Sequence, residues 1–223
     1  MADHIADFHI HSKYSHDSLA SPESIVKRAS KIGLTVIAVT DHNTIKGSIE
    51  ANRFGERYGV YVIHGAEFST TCGDILALNI NENIYSKDWR EVIDAIRDQG
   101  GRVVLPHPYN NHREIDDIAK EVDFIEIWNS RCTKEENSKA KHLAAELNKK
   151  VMVNSDAHCI SQIGSVKCRI DPGTWELKTI ICNNYTPRWK MYKCHTLARL
   201  RRGNIRGLIQ DGKLALQSKR GAP

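Results

Sequence analysis

Two imidazoles two positions apart dominate the chemistry near the start of the chain. In Asp7-Phe8-His9-Ile10-His11, His9 and His11 share one face of a short strand, because alternate side chains point the same way. They are a ready pair of ligands for one ion. His16 and Asp17 follow in the next loop, and Asp41-His42 and Asp156-Ala157-His158 repeat the mixture of imidazole and carboxylate. Glu67 adds a carboxylate able to bridge two ions, and His107 adds a further ring. Imidazole and carboxylate without cysteine suit Mn, Fe or Zn in catalytic rather than structural sites. Scattered histidines (His4, His64, His112, His142, His195) read as surface or hydrogen-bonded residues. The clustered set differs, since gathering so many titratable groups in one place is costly unless a cation compensates their desolvation.

Alternating strand-like and helix-like stretches position these groups. Strands are expected at 7–11, 34–40, 60–63, 75–80, 102–105, 124–128 and 151–154, with helices between them. Ser21-Pro22-Glu23 starts the first helix with a capping hydroxyl, a proline and an early acid, and Gly33 closes it. Ser86 is expected to cap the helix whose inner face is Trp89, Val92, Ile93 and Ile96. Such units imply an α/β fold with a mainly parallel sheet. A His, Asp or Glu stands at the end of nearly every strand, and such ends converge only when the sheet closes into a ring, so a barrel is expected.

The 223 residues are 40% hydrophobic and 26% charged, which fits one globular domain with a short appendage. No apolar run approaches the roughly 20 residues of a membrane span. No basic and apolar leader is visible, and the six cysteines form no CxxC pair, so a cytoplasmic location is expected. Charge is uneven. Residues 171–223 hold 11 Lys/Arg against 3 Asp/Glu; subtracting from totals of 32 and 27 leaves 21 against 24 for residues 1–170. The division expected is a slightly acidic body, 1–170, and a basic C-terminal extension, 171–223.

The segments DFHIHSKYSHDS, AVTDHNT, HGAEFS, LPHPYN and NSDAH, in this order across residues 7–166, closely resemble the motifs of the PHP (polymerase and histidinol phosphatase) metal-dependent phosphoesterases. That resemblance implies a distorted (β/α)7 barrel carrying two or three divalent ions (Mn, Fe or Zn) at its C-terminal face. It also implies hydrolysis of phosphate esters by metal-activated water. Matched residue by residue, His9, His11, Glu67 and Asp156 take the first ion, with Glu67 and Asp156 also orienting the attacking hydroxide. His42 and His158 take the second ion with a group from the Ser15-His16-Asp17 loop, for which His16 is preferred over Asp17. Glu67 and His107 bear on a third, where Leu76 stands at the position that often carries a histidine. Asp7 and Asp41 are expected to hydrogen-bond ligand imidazoles, and Arg131 to bind substrate phosphate.

The first function reading is a phosphoesterase acting on a phosphorylated small molecule or nucleotide. The second is a nuclease or exonuclease of the same chemistry on single-stranded nucleic acid. Basic and aromatic residues interleave in the extension, where Trp175, Tyr185, Trp189 and Tyr192 lie among Arg188, Lys190 and Lys193. A third reading, of another class, is a non-catalytic metal-binding regulatory module.

Overall fold

The structure, a computed structural model, describes residues 4–203. Its strands and helices run in the order β1 (His4–Asp7), α1 (Pro22–Lys31), β2 (Val36–Val39), α2 (Lys46–Tyr58), β3 (Tyr61–Thr70), β4 (Gly73–Leu78), α3 (Trp89–Asp98) and β5 (Arg102–Leu105). They continue as α4 (Ile115–Glu121), β6 (Phe124–Asn129), α5 (Lys134–Glu146), β7 (Lys150–Asn154), β8 (Val166–Ile170), β9 (Leu177–Asn183) and α6 (Arg188–Arg201). The sheet order is β7-β6-β5-β4-β3-β2-β1-β8-β9. β1, β2 and β3 are mutually parallel, as are β5, β6 and β7, while β4 runs antiparallel to both of its neighbours.

The ring nearly closes between its first and last strands. Ile10 and Ala157 form a parallel bridge, the Phe8 N–H donates to Asn154 Oδ1 at 2.9 Å, and the Ser155 N–H donates to Asp7 Oδ1 at 3.0 Å. The expected distorted α/β barrel is therefore found, its distortion being the reversed β4. β8 and β9 extend the sheet antiparallel beyond β1, so the boundary expected at residue 170 falls between two paired strands.

The core has two layers. Ala38, Leu76, Val104, Phe124 and Met152 pack together as one buried cluster drawn from successive strands, and a second layer lies beneath the helices. In α1 the Ser24 N–H donates to the Ser21 hydroxyl, Pro22 takes the first turn, and Ile25, Val26 and Ala29 are buried. The cap of α3 differs from expectation. Asp88 accepts from the Arg90 and Glu91 N–H groups, while the Ser86 hydroxyl donates to Glu91, because a carboxylate two residues nearer outcompetes the hydroxyl for the free amides. Gly47, in the first turn of α2, marks a close approach. A Cβ there would land on the Asp41 carboxylate, so only glycine lets the helix come this near.

Candidate metal centre

The ends of β1, β2, β3, β5, β6 and β7 deliver their polar side chains to one buried place. Glu67, at the centre, reaches four rings. Its Oε1 lies 3.5 Å from His9 Nε2 and 3.0 Å from His107 Nε2, and its Oε2 lies 3.5 Å from His11 Nε2 and 3.0 Å from His42 Nδ1. Asp156 Oδ1 stands 3.6 Å from His9 Nε2 and 3.3 Å from His11 Nε2. Four donor atoms about 2.1 Å from one ion sit about 3.4 Å apart, and these separations match that edge.

The neighbouring groups orient those donors. His9 Nδ1 donates to Glu126 Oε1 at 3.2 Å, and His11 Nδ1 donates to the Ser15 hydroxyl at 3.0 Å, tautomers assigned from the partners. Each ring then presents the lone pair of Nε2, and both Nε2 atoms are buried without a hydrogen-bond partner. Two orphaned acceptors aimed into one carboxylate-lined place are costly on their own account and fit a divalent cation.

A second group of donors comprises His11, Asp17, His42 and His158. Asp17 Oδ2 lies 3.4 Å from His42 Nε2 and 3.0 Å from His158 Nε2. The loop side chain that joins this group is thus Asp17 and not His16, the residue preferred from sequence. The His16 ring instead lies against that of His42, 5.0 Å between centroids. A third group joins Glu67 and His107 with Asp74. Leu76 is fully buried and pairs in register with Glu67, and Asp74 shares its face two residues earlier, so a carboxylate occupies the flank where the motif often has an imidazole.

Electrostatics follow from this packing. Burial works against every charge here, but the imidazoles outweigh it and hold Glu67, Asp156 and Asp17 well below the usual carboxylate range. In return, against their own desolvation, the carboxylates pull His9 well above its ordinary value, His42 up to about 11 and His107 to about 9. His11 goes the other way, to about 3, through burial and repulsion from His158 and His42. The same carboxylates attract a proton or a metal ion, and a ring that ligates an ion gives up its proton. His107 and Asp156 also adopt positive φ, 29° and 51°, a conformation that non-glycine residues take up where surrounding contacts fix it.

Several supporting residues differ from the sequence reading. Asp7 takes its side-chain hydrogen bond from Ser155 rather than from a ligand ring. It accepts from the Ser155 N–H and hydroxyl and so fixes the turn before Asp156, while burial raises its carboxyl to about 7. Asp41 reaches His11 only through Ser15, whose hydroxyl donates to it at 2.7 Å. Glu126, unnoticed in the sequence, is fully enclosed and accepts from His9, Asn154, Asn129 and the His107 N–H. Its signal was a lone acid inside the apolar stretch FIEIW.

Arg131 does lie at the centre. Its Nη1 lies against His158 Nδ1, which donates to the Asp156 carbonyl at 3.0 Å and so leaves Nε2 its lone pair; its Nη2 donates to His195 Nε2 at 2.8 Å, and Nη1 stands 3.8 Å from Asp156 Oδ1. His195, read as an unremarkable histidine, is brought there by α6, 3.8 Å from Asp17 Oδ2. The end of α6 is fastened by Arg202, whose Nη2 donates to the carbonyls of Lys13, Ser15 and Ser18. Among the described residues no helix is long and apolar enough to cross a membrane.

Comparison with known proteins agrees with this geometry. The chain is 42% identical over 116 residues to an uncharacterized protein of Methanocaldococcus jannaschii, covering 47% of this chain and 68% of that one. A second uncharacterized protein of the same organism is 30% identical over 171 residues, covering 71% of this chain and 67% of the other. In fold the chain is similar to a two-domain protein of Bacteroides vulgatus containing a predicted PHP-like metal-dependent phosphoesterase. The TM-score is 0.67 at 20% identity, over 76% of this chain and 58% of that one. Residues 7–160 match the PHP domain, and with the donors of all five motifs drawn together at one barrel mouth, the chain belongs to the PHP domain family.

Proposed function

We propose that the chain is a metal-dependent phosphoesterase that hydrolyses the phosphate ester of a small metabolite or nucleotide. The observation that carries this reading is the pair of partnerless Nε2 atoms of His9 and His11, spaced with Glu67 and Asp156 as ligands of one ion are, beside the Arg131 guanidinium. His9, His11, Glu67 and Asp156 would hold one divalent ion, Asp17, His42 and His158 a second, and Glu67, Asp74 and His107 a third. Such ions supply hydroxide at neutral pH and Lewis acidity toward phosphoryl oxygens.

The protein's own groups do the rest. Asn129 Nδ2 donates to Asp156 Oδ2 at 3.2 Å, so the carboxylate is fixed in rotation and aims its other oxygen at the histidines. Glu67 serves both pairs of rings and keeps them in one geometry. Arg131 has its remaining donors available for a phosphoryl oxygen, the charge-assisted contact that suits a dianion. Burial of Glu67, Asn129 and Asp156 keeps bulk water from them and strengthens each contact.

Metal content of the untagged protein, measured with phosphate release from a panel of phosphomonoesters, dinucleotides and short oligonucleotides in Mn, Fe or Zn, tests the proposal. Two or three ions per chain and turnover that is lost in Asp156→Asn are expected. Bound metal with no turnover on any ester would refute it and favour a regulatory metal module. A nuclease is the second reading, because α6 carries Arg188, Lys190, Lys193, Arg199 and Arg201 and no acid. Oligonucleotide binding that weakens steeply with salt would favour it. The basic residues beyond 203, part of the same expectation, lie outside the described residues.

A further inference from the structure

α6 is fastened at both ends to segments that carry the site. Just before it, Thr186 is buried, and its N–H donates to the Ser130 carbonyl at 2.7 Å. The hydroxyls of Thr186 and Ser130 stand 2.7 Å apart, and because the Ser130 hydroxyl donates to the Ser155 carbonyl, Thr186 is the donor of that pair. Ser130 and Ser155 directly precede Arg131 and Asp156. At the far end, Arg202 donates to the carbonyls of Lys13, Ser15 and Ser18, in the loop of Asp17. Between these ties the helix lays His195 on the centre, where its Nε2 accepts from Arg131 Nη2 at 2.8 Å.

We propose that His195 is a positioning residue that holds the Arg131 guanidinium ready for the phosphoryl group of the substrate, an assignment that rests on the phosphoesterase reading. An unrestrained arginine whose Nη1 stands 3.8 Å from Asp156 Oδ1 closes onto that carboxylate as a fork. Such a pair would occupy the donors and offset the charge that a phosphate dianion needs, and it would engage a carboxylate that the site requires for an ion. The acceptor on Nη2 draws the other arm of the fork toward α6 and opposes that closure. An imidazole suits the task, because it accepts through a lone pair and brings no negative charge. α6 has no acid to compete with it. The Arg131 N–H also donates to Asn129 Oδ1 at 2.9 Å, so the residue is held at its root as well as at its tip. A side chain ordered in advance loses little freedom when phosphate binds.

His195→Ala and His195→Gln, each made in the full chain with and without Arg131→Ala, test the assignment. Inorganic phosphate, a product of every phosphomonoester, is titrated calorimetrically into the Mn-loaded protein, beside steady-state turnover of a phosphomonoester. An untethered guanidinium must be ordered anew by its ligand, so in His195→Ala the phosphate Kd and the KM should both rise about tenfold, with kcat changed less and metal content unchanged. Glutamine, whose side-chain oxygen can accept from Nη2, should restore most of the affinity. In the Arg131→Ala background there is no guanidinium to hold, and His195→Ala should alter neither quantity. Metal-dependent turnover with wild-type KM and phosphate Kd in His195→Ala would overturn the positioning and leave the phosphoesterase intact. So would an equal loss in the Arg131→Ala background, or a loss of bound metal that glutamine does not restore, the mark of a detached helix. Absence of turnover on every ester by the wild-type chain would remove the phosphoesterase, and the positioning with it.

Discussion

Glu126→Gln separates a designed metal centre from a fortuitous cluster. All four contacts to Glu126 are donors: Oε1 accepts from His9 Nδ1 at 3.2 Å and Asn154 Nδ2 at 2.9 Å, and Oε2 accepts from Asn129 Nδ2 and the His107 N–H, both at 2.9 Å. A carboxylate satisfies this arrangement and an amide cannot, because either flip of glutamine places an NH2 against two donors. Two hydrogen bonds are lost and buried donors are left facing each other. At about 1–3 kcal/mol for each group left unsatisfied, partly relieved by rearrangement, the loss is about 2–4 kcal/mol. For a domain of this size that lowers Tm by roughly 5–15 °C. Burial opposes its charge, but the attraction of His9 holds Glu126 below its ordinary value, so the amide also removes the negative charge that makes the His9 ring a good donor. Loss of such a partner typically weakens metal affinity about 10- to 100-fold. Calorimetric titration with Mn or Zn and thermal unfolding at pH 7 read both quantities. A variant with unchanged Tm and unchanged affinity would refute the argument that Glu126 orients His9.

Two further outcomes follow from groups around the centre. Burial raises the Asp7 carboxyl to about 7 against its hydrogen bonds to Ser155, so the fold keeps a proton there that the unfolded chain loses near pH 4. The stability this proton confers is complete below pH 4 and is lost as pH rises through 7, at about 1.4 kcal/mol per pH unit. Asp7→Asn can keep both contacts to Ser155, with its amide donating to the hydroxyl. Its Tm relative to wild type should therefore climb between pH 5 and pH 7, and parallel curves would contradict the shift. Arg202→Ala removes three donations to the loop that carries Asp17. It should weaken the ion held by Asp17, His42 and His158 about tenfold while the His9, His11, Glu67 and Asp156 site keeps its affinity, resolved as two classes in a metal titration.

What could be read from the sequence was set by whether a signal is local. His9 and His11 declare themselves through strand periodicity, and the helix opened by Ser21-Pro22 begins where its cap says, because both depend on neighbours within a turn. Choosing between His16 and Asp17 depends on how a loop folds over α2, a distance of many residues, and no pattern within Ser15-His16-Asp17 ranks them. Asp74 was hidden for a topological reason. A parallel barrel presents its ligands at the C-terminal ends of its strands, but β4 runs backwards, so its mouth end is its beginning. Glu126 was legible as an anomaly, an acid among apolar residues, although three of its four donors come from other segments, and only Asn129 from its own strand. His195 gave no signal at all, since its role comes entirely from where α6 is laid.

The reversed strand has an evolutionary consequence. Most rim segments lead from a strand into the helix that returns to the next one, so added residues there must leave that helix in place. The turn between β3 and β4 at Thr71–Cys72 leads straight into a paired strand, and a hairpin lengthens two residues at a time without re-threading anything. It also stands beside Glu67 and Asp74. Insertions at this turn would raise a stiff arm beside the mouth while leaving the cluster of histidines and carboxylates untouched, which makes it the port through which descendants of this barrel could change what the mouth admits.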